Sequence, residues 1–380
     1  MSDKKLNILV FNWQDITNPL AGGAEVHLHE VFERIAARGH RVTLFCHRYP
    51  GSRKEESRNG IRIIRKGGRF FFNFHVFLEY IRCFRKENYD VIVDDVNKIP
   101  FYTPLFVRRP IQGVTHHLFG KSIFLEAPWP LALYVYLSER LIKPIYKNVH
   151  FIIGSPSTFN EYRLWGFPES KIAVINYCVN HSTYYPDPTG EYDRTLIGYF
   201  GRLKKYKSVD HLILAFADLL EENPELHLQI IGDGDDRPRL EALVKEKHLE
   251  QRVHFLGFID EKEKAPRLQK MNLVVNTSSK EGWGLTVVEA NACGTPVVAA
   301  NVQGLRDSVK DGETGLLYEY GNIKDLTEKI RTILNNPALR HRLREKALEW
   351  AQSFNWDEAA DKTLDYIYKT IQEYHERRFG

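Results

Sequence analysis

The stretch KEGWGLTVVEANACGTPVVA, Lys280 to Ala299, sets two glutamates, Glu281 and Glu289, eight positions apart. Gly282 and Gly284 follow the first, an apolar run carries the second, and Gly-Thr-Pro leads into a β-branched VVAA segment. The pattern predicts a glycine-rich loop, a helix N-terminus and a short helix closing near Gly294, with Glu289 about two turns in. Free backbone N–H groups at such a terminus can meet an anion, and glycine lets a ligand approach the main chain. A carboxylate on an otherwise apolar helix needs a partner. A diol such as a ribose is one, because an ionised carboxylate accepts two hydroxyl hydrogen bonds. The alternative is a surface glutamate beside an ordinary turn.

Outward from this stretch, β-branched runs alternate with helical patterns along the whole chain. LNILVF (6–11), RVTLFC (41–46), GIRIIRK (60–66), YDVIVDD (89–95), IQGVT (111–115), FIIGS (151–155) and KIAVI (171–175) read as strands of a first half. HSTYYPDPTGEYDRT (181–195) lacks apolar periodicity and reads as a linker. The alternation resumes with TLIGYFG (195–201), LHLQIIG (226–232), RVHFLG (252–257), NLVVN (272–276) and PVVAA (296–300), and turns helical from Asp325 to about Tyr374. Such alternation argues for parallel sheets covered by helices. Two α/β halves are expected to enclose a ligand cleft.

With 380 residues the chain is long enough for two cores, and 43% hydrophobic with 27% charged residues is an ordinary globular composition. Four scattered cysteines form no CxxC pair, which argues against a zinc or disulfide framework. The start MSDKKLNILVF has no signal-peptide pattern and no run is long and apolar enough to span a membrane, so a cytoplasmic location is expected. Net charge +4 conceals an asymmetry: residues 34–86 carry 14 Lys/Arg against three Asp/Glu, and include RFFFNFHVFLEYIRCFRK (69–86). A basic, aromatic surface suits peripheral contact with an anionic membrane or an anionic acceptor; a core helix with solvated cations is the alternative. Nucleic acid is disfavoured, since no recognised motif accompanies the charge.

Five ordered segments together resemble the family 4 retaining glycosyltransferases of the GT-B fold. They are NPLAGGAEVHLHE (18–30), GRLKKYKSVDHLILAF (201–216), IIGDGDD (230–236), the Glu281/Glu289 pair and SFNWDEAA (353–360). The resemblance implies a first Rossmann-like, acceptor-side domain over 1–182 and a nucleotide-sugar domain over 183–355. Their parallel sheets would face a central cleft, and a C-terminal helix over 356–380 would pack back on the first domain. Arg202 and Lys207 become the diphosphate-binding cations, a role that suits guanidinium and ammonium just after a strand. Glu281 is placed near the transferred sugar and Glu289 on the ribose. Gly22, Gly23, Gly232, Gly282, Gly284 and Leu285 join the donor-binding set, although Gly232 also fits a tight turn with no ligand role. His116 in GVTHHLFG is the matching histidine. His117 stands where many relatives carry an acid, which leaves open which imidazole faces the ligand.

The implied reaction is metal-independent, retaining transfer of a sugar from a UDP- or GDP-sugar to a saccharide or lipid-linked acceptor. Asp94-Asp95 and Asp235-Asp236 are adjacent pairs and form no Asp-x-Asp motif. A nucleotide-sugar 2-epimerase of the same fold, or a non-catalytic nucleotide-sugar-binding partner subunit, are the competing readings.

Overall fold

The β-branched runs form two sheets, because a strand buried on both faces must be apolar throughout and finds its partners in parallel crossovers. The computed structural model describes residues 4–96 and 99–379 and divides into two units, Met1–Tyr177 with Trp356–Gly380, and Cys178–Asn355.

The first unit runs β1 (Asn7–Phe11), α1 (Gly23–Ala37), β2 (Arg41–Cys46), β3 (Glu55–Arg58), β4 (Ile61–Arg65) and α2 (Phe72–Arg82). It continues with β5 (Val91–Asp95), β6 (Ile111–Thr115), α3 (Trp129–Arg140), α4 (Ile142–Tyr146), β7 (His150–Ile153), α5 (Pro156–Leu164) and β8 (Ile172–Val174). The eight strands order as β3-β4-β2-β1-β5-β6-β7-β8, all parallel except the edge hairpin partner β3.

Register assigns the helices to faces. Leu9 pairs with Ile92, Ile92 with Ile111, and Gly113 with Phe151, so these side chains point to one side of the sheet. On that side Leu9 and Ile92 pack with Phe72, Val76 and Tyr80 of α2, and Phe151 packs with Ile142 and Tyr146 of α4. Ile111 touches both clusters. Helices α2, α4 and α5 therefore cover one face. Helix α1 covers the other, joined there by the last helix of the chain, whose Thr370 Oγ1 donates to Gln112 Oε1 at 2.7 Å.

The second unit holds β9 (Leu196–Phe200), α6 (Val209–Glu222), β10 (His227–Ile231), α7 (Arg237–Glu246), β11 (Val253–Gly257) and α8 (Glu261–Lys270). Then come β12 (Leu273–Asn276), α9 (Leu285–Ala292), β13 (Val297–Ala300), α10 (Leu305–Ser308), β14 (Gly315–Tyr318), α11 (Ile323–Leu334) and α12 (Pro337–Gln352). Its six strands are parallel, in order β11-β10-β9-β12-β13-β14. The chain returns to the first unit with α13 (Trp356–Phe379).

The helical pattern read from Asp325 onward is thus three helices. Asn336 caps α12 by accepting from Leu339 N at 2.9 Å, with Pro337 at the first helical position, and Ser353, Phe354 and Asn355 separate α12 from α13. Helix α9 begins at Leu285, so Glu289 lies little more than one turn in, where two turns were expected. Gly284, at φ +88°, supplies the left-handed residue that starts the helix late. Among the described residues no helix is long and apolar enough to cross a membrane.

Candidate functional site

In the second unit the chain leaves β9 and makes one tight turn over Lys205–Lys207 before α6. The loop after β12 is laced to it: Thr277 Oγ1 donates to Lys207 O at 2.8 Å, and Ser279 N donates to Tyr206 O at 2.8 Å. This lacing brings Lys207 and Glu281, 74 residues apart, into an ion pair in which each side chain is about 15% exposed (15% and 16%). Ser278 Oγ lies 2.7 Å from Glu281 Oε1 and 2.8 Å from Asn276 Oδ1, and its single proton serves one of them at a time. Burial opposes the Lys207 charge, but the Glu281 carboxylate outweighs it and holds the ammonium above the ordinary lysine value. Arg202, two residues past β9, is exposed, and its guanidinium makes no ion pair among the described residues. Ser279 Oγ is buried without a hydrogen-bond partner.

The turn after β10 shapes this loop. A Cβ on Gly232, at φ +131°, would stand 1.9 Å from Gly201 O, and one on Gly234 would stand 2.1 Å from Leu203 O. Gly201 N donates to Ile231 O at 3.0 Å, and Leu203 N to Asp233 O at 2.9 Å. The glycine turn thus lets backbone press on the backbone that carries Arg202. Gly232 makes its close approach to protein.

Glu289 emerges from α9 beside Tyr184, Glu261 and Lys264, which no motif or spacing joins to it. Burial pushes its carboxyl above the usual range and Glu261 adds to that, against the Lys264 ammonium and a Tyr184 hydrogen bond. The single Tyr184 hydroxyl proton serves Glu261 Oε1 or Glu289 one at a time, and Lys264 Nζ pairs with Glu261 Oε2 at 2.8 Å. Trp283, next but one to Glu281, is packed edge-on against Phe354 with ring centroids 5.3 Å apart.

In the first unit Gly22 caps α1, and its N–H donates to Glu25 Oε2 at 2.7 Å; Gly23 is the first helical residue. Strand β5 ends in two aspartates that point to opposite faces. Asp94 accepts from Thr103 Oγ1 and Tyr146 hydroxyl, each at 2.6 Å, and burial raises its carboxyl to about 6. Asp95 meets His116 Nε2 at 3.0 Å, and Tyr177 hydroxyl meets His116 Nδ1. Burial lowers the His116 imidazole, but Asp95 and Glu25 outweigh it and leave the ring more basic than usual. Neutral His116 then donates Nε2–H to Asp95 and accepts from Tyr177. His27, fully buried with Nε2 unpartnered, stacks on Tyr177 with centroids 4.5 Å apart, and burial pushes it well below the ordinary histidine value. His117 packs instead against Phe119, 4.4 Å between ring centroids. Tyr177 and His27 were not singled out in the sequence, and Asp95 was noted only as half of an adjacent pair that forms no Asp-x-Asp motif; that pair at a strand end is the one signal that could have pointed to them.

Two family models match successive parts of the chain. Residues 21–183 match the model described as Glycosyltransferase Family 4, and residues 186–350 match that of Glycosyl transferases group 1. The chain belongs to the family 4 glycosyltransferases. A D-inositol 3-phosphate glycosyltransferase of Nocardioides sp. is 34% identical to this family 4 chain over 199 residues, covering 48% of the chain and 43% of the relative. The chain spans about half the length of the curated relatives it matches. Among solved structures, sucrose-phosphate synthase from Thermosynechococcus elongatus superposes with a TM-score of 0.82 at 25% identity, over 97% of this chain and 100% of that one. The Anabaena HepE protein in complex with UDP and glucose superposes with a TM-score of 0.77 at 19% identity, over 96% and 100%. The fold is that of the GT-B glycosyltransferases.

Proposed function

We propose that the chain transfers a hexosyl group from a nucleoside-diphosphate sugar to a saccharide or lipid-linked hydroxyl, with retention of anomeric configuration. The Lys207–Glu281 pair, with Arg202 on the same loop, carries the reading. A cation held largely buried by a neighbouring carboxylate, with an exposed guanidinium on the same loop, suits a diphosphate and has its electrostatics set before ligand arrives. Arg202 and Lys207 would take the diphosphate and stabilise it as it leaves. Glu281 would hold sugar hydroxyls, and Glu289 the ribose. Gly282, Gly284 and Leu285 present the loop and helix start between them. UDP is favoured as the base-bearing part of the donor by the HepE complex, with GDP the competitor.

On this reading the acceptor oxygen bonds to the anomeric carbon on the side from which the phosphate oxygen departs. The acceptor's proton passes to that departing oxygen. Neither step requires an enzymatic nucleophile, so the work is orientation and charge stabilisation by the residues named. In the first unit, Asp95 fixes the orientation and raises the basicity of His116, which favours His116 over His117 as the acceptor-side group.

Thermal-shift binding of nucleoside diphosphates and nucleotide sugars tests the proposal. One nucleotide should raise the melting temperature of the wild type and leave Glu289→Ala and Arg202→Ala unmoved. No shift with any nucleotide would count against a donor site in this unit.

A further inference from the structure

Helices α2 and α3 each bury one apolar stripe and expose another. On α2 and the turn before it, Phe70, Phe74, Phe77, Leu78 and Ile81 face outward, Phe70 at 85% and Phe74 at 61% exposure, while Phe72, Val76 and Tyr80 go into the core. On α3, Ala132 and Val135 are buried, whereas Leu131, Tyr134, Leu137 and the following Leu141 are exposed at three- and four-residue intervals. A helix with a second apolar stripe is not explained by the fold of its own unit.

Both stripes belong to the first unit, and the chain ties the two helices together. Register puts α2 and α4 on one face of the eight-stranded sheet, and α3 runs into α4. The segment between β5 and β6 joins them: Phe106 packs edge-on against Phe77 of α2 at 5.2 Å, and Tyr102 hydroxyl donates to Ser138 O of α3 at 3.3 Å. Leu105, exposed, lies between those two contacts.

The exposed charges of these two stretches have one sign. Residues 69–86 carry Arg69, Arg82, Arg85 and Lys86, and residues 129–147 carry Arg140, Lys143 and Lys147, all seven exposed. Each stretch contains a single acid, and both are consumed internally. Glu79 is buried and paired with Lys66 Nζ at 2.6 Å; Glu139 is buried and accepts from Phe119 N and Gly120 N at 2.6 and 2.7 Å.

We infer that this face of the first unit docks on an anionic lipid bilayer, with α2 and α3 lying in the interface plane. Exposed phenylalanines and leucines enter the boundary between headgroups and acyl chains, and the seven cations meet the headgroups. Sequence patterning indicated only the α2 part; the second stripe on α3 and the join through Leu105 come from the fold. The inference is independent of the donor chemistry.

The test is flotation of the full chain with vesicles of phosphatidylcholine alone or mixed with phosphatidylglycerol. Wild type should float only with the anionic vesicles. Phe70→Ser/Phe74→Ser and Leu131→Ser/Leu137→Ser should each lower the bound fraction at least about tenfold, since each removes two large apolar side chains from the contact. Arg82→Gln/Lys143→Gln should lower it about 25-fold at low salt, about fivefold per cation. All six positions are exposed, so an unchanged circular-dichroism melt is expected. Equal recovery of wild type in the supernatant with both vesicle types would overturn the inference. So would a concentration-dependent dimer in sedimentation velocity that the same variants render monomeric, because the face would then be covered by a second copy.

Discussion

Replacing Lys207 by methionine keeps most of the side-chain volume and removes the ammonium that neutralises Glu281. Near a protein surface, opposite charges about 4 Å apart attract by about 4 kcal/mol, and stranding one member of a buried pair costs about 3–5 kcal/mol. Both side chains retain about 15% exposure (15% and 16%) and Ser278 can still donate to Glu281, so Lys207→Met should destabilise the chain by about 2–4 kcal/mol. Glu281→Gln should cost a similar amount by stranding the ammonium. The double variant should lose less than the sum, with a coupling of about 2 kcal/mol in urea denaturation. Ligand binding separates the two singles. Lys207→Met gives up a charge-assisted hydrogen bond to the diphosphate, about 1.5–3 kcal/mol, and should bind the nucleoside diphosphate about 10- to 150-fold more weakly by calorimetry. Glu281→Gln releases Lys207 from its internal partner and should bind the same diphosphate more tightly, while sugar transfer falls. Equal weakening by both singles, or strictly additive stability losses, would refute the reasoning.

Other consequences concern the supports of the site. Gly232→Ala forces a Cβ into Gly201 O and should cost at least about 2 kcal/mol and displace the Arg202 loop, weakening nucleotide binding. Gly312→Ala, with φ +74° and nothing within 4 Å, should cost about 1 kcal/mol of backbone strain and leave nucleotide binding unchanged. Because burial raises Asp94 from 3.8 to about 6, the folded chain binds its proton more tightly than the unfolded chain does. Stability should therefore fall by about 3 kcal/mol as pH rises across that interval, and urea midpoints of Asp94→Asn should lack this component. Asp95→Asn removes the charge that keeps His116 basic, so the imidazole resonance of His116 should titrate at lower pH; an unmoved titration would remove Asp95 as its positioning group.

The sheet strands were legible because a strand covered on both faces must be a continuous β-branched run, as in NILVF and VVAA. Polar edge pairing carries no such signature. EESR of β3 is held by antiparallel pairing and Glu–Arg ion pairs to β4, and GLLY of β14 follows a loop with no periodic lead-in. The cations and glutamates of the second unit stood out as residue types at telling spacings. Their partners did not, because the Lys207–Glu281 and Tyr184–Glu261 contacts join residues 74 and 77 positions apart. Helix α3 hid its second stripe for a different reason: a segment apolar on both faces reads simply as hydrophobic until the buried side is known.

The most direct test of the account follows nucleotide sugars by NMR in the presence of the wild-type chain and Arg202→Ala, without added acceptor. Water should serve as a slow acceptor. The account predicts that one donor is converted to nucleoside diphosphate by the wild type alone, and that the earliest free sugar carries the donor's anomeric configuration. Release of an inverted sugar, or no diphosphate from any UDP- or GDP-sugar even with saccharide acceptors supplied, would contradict it.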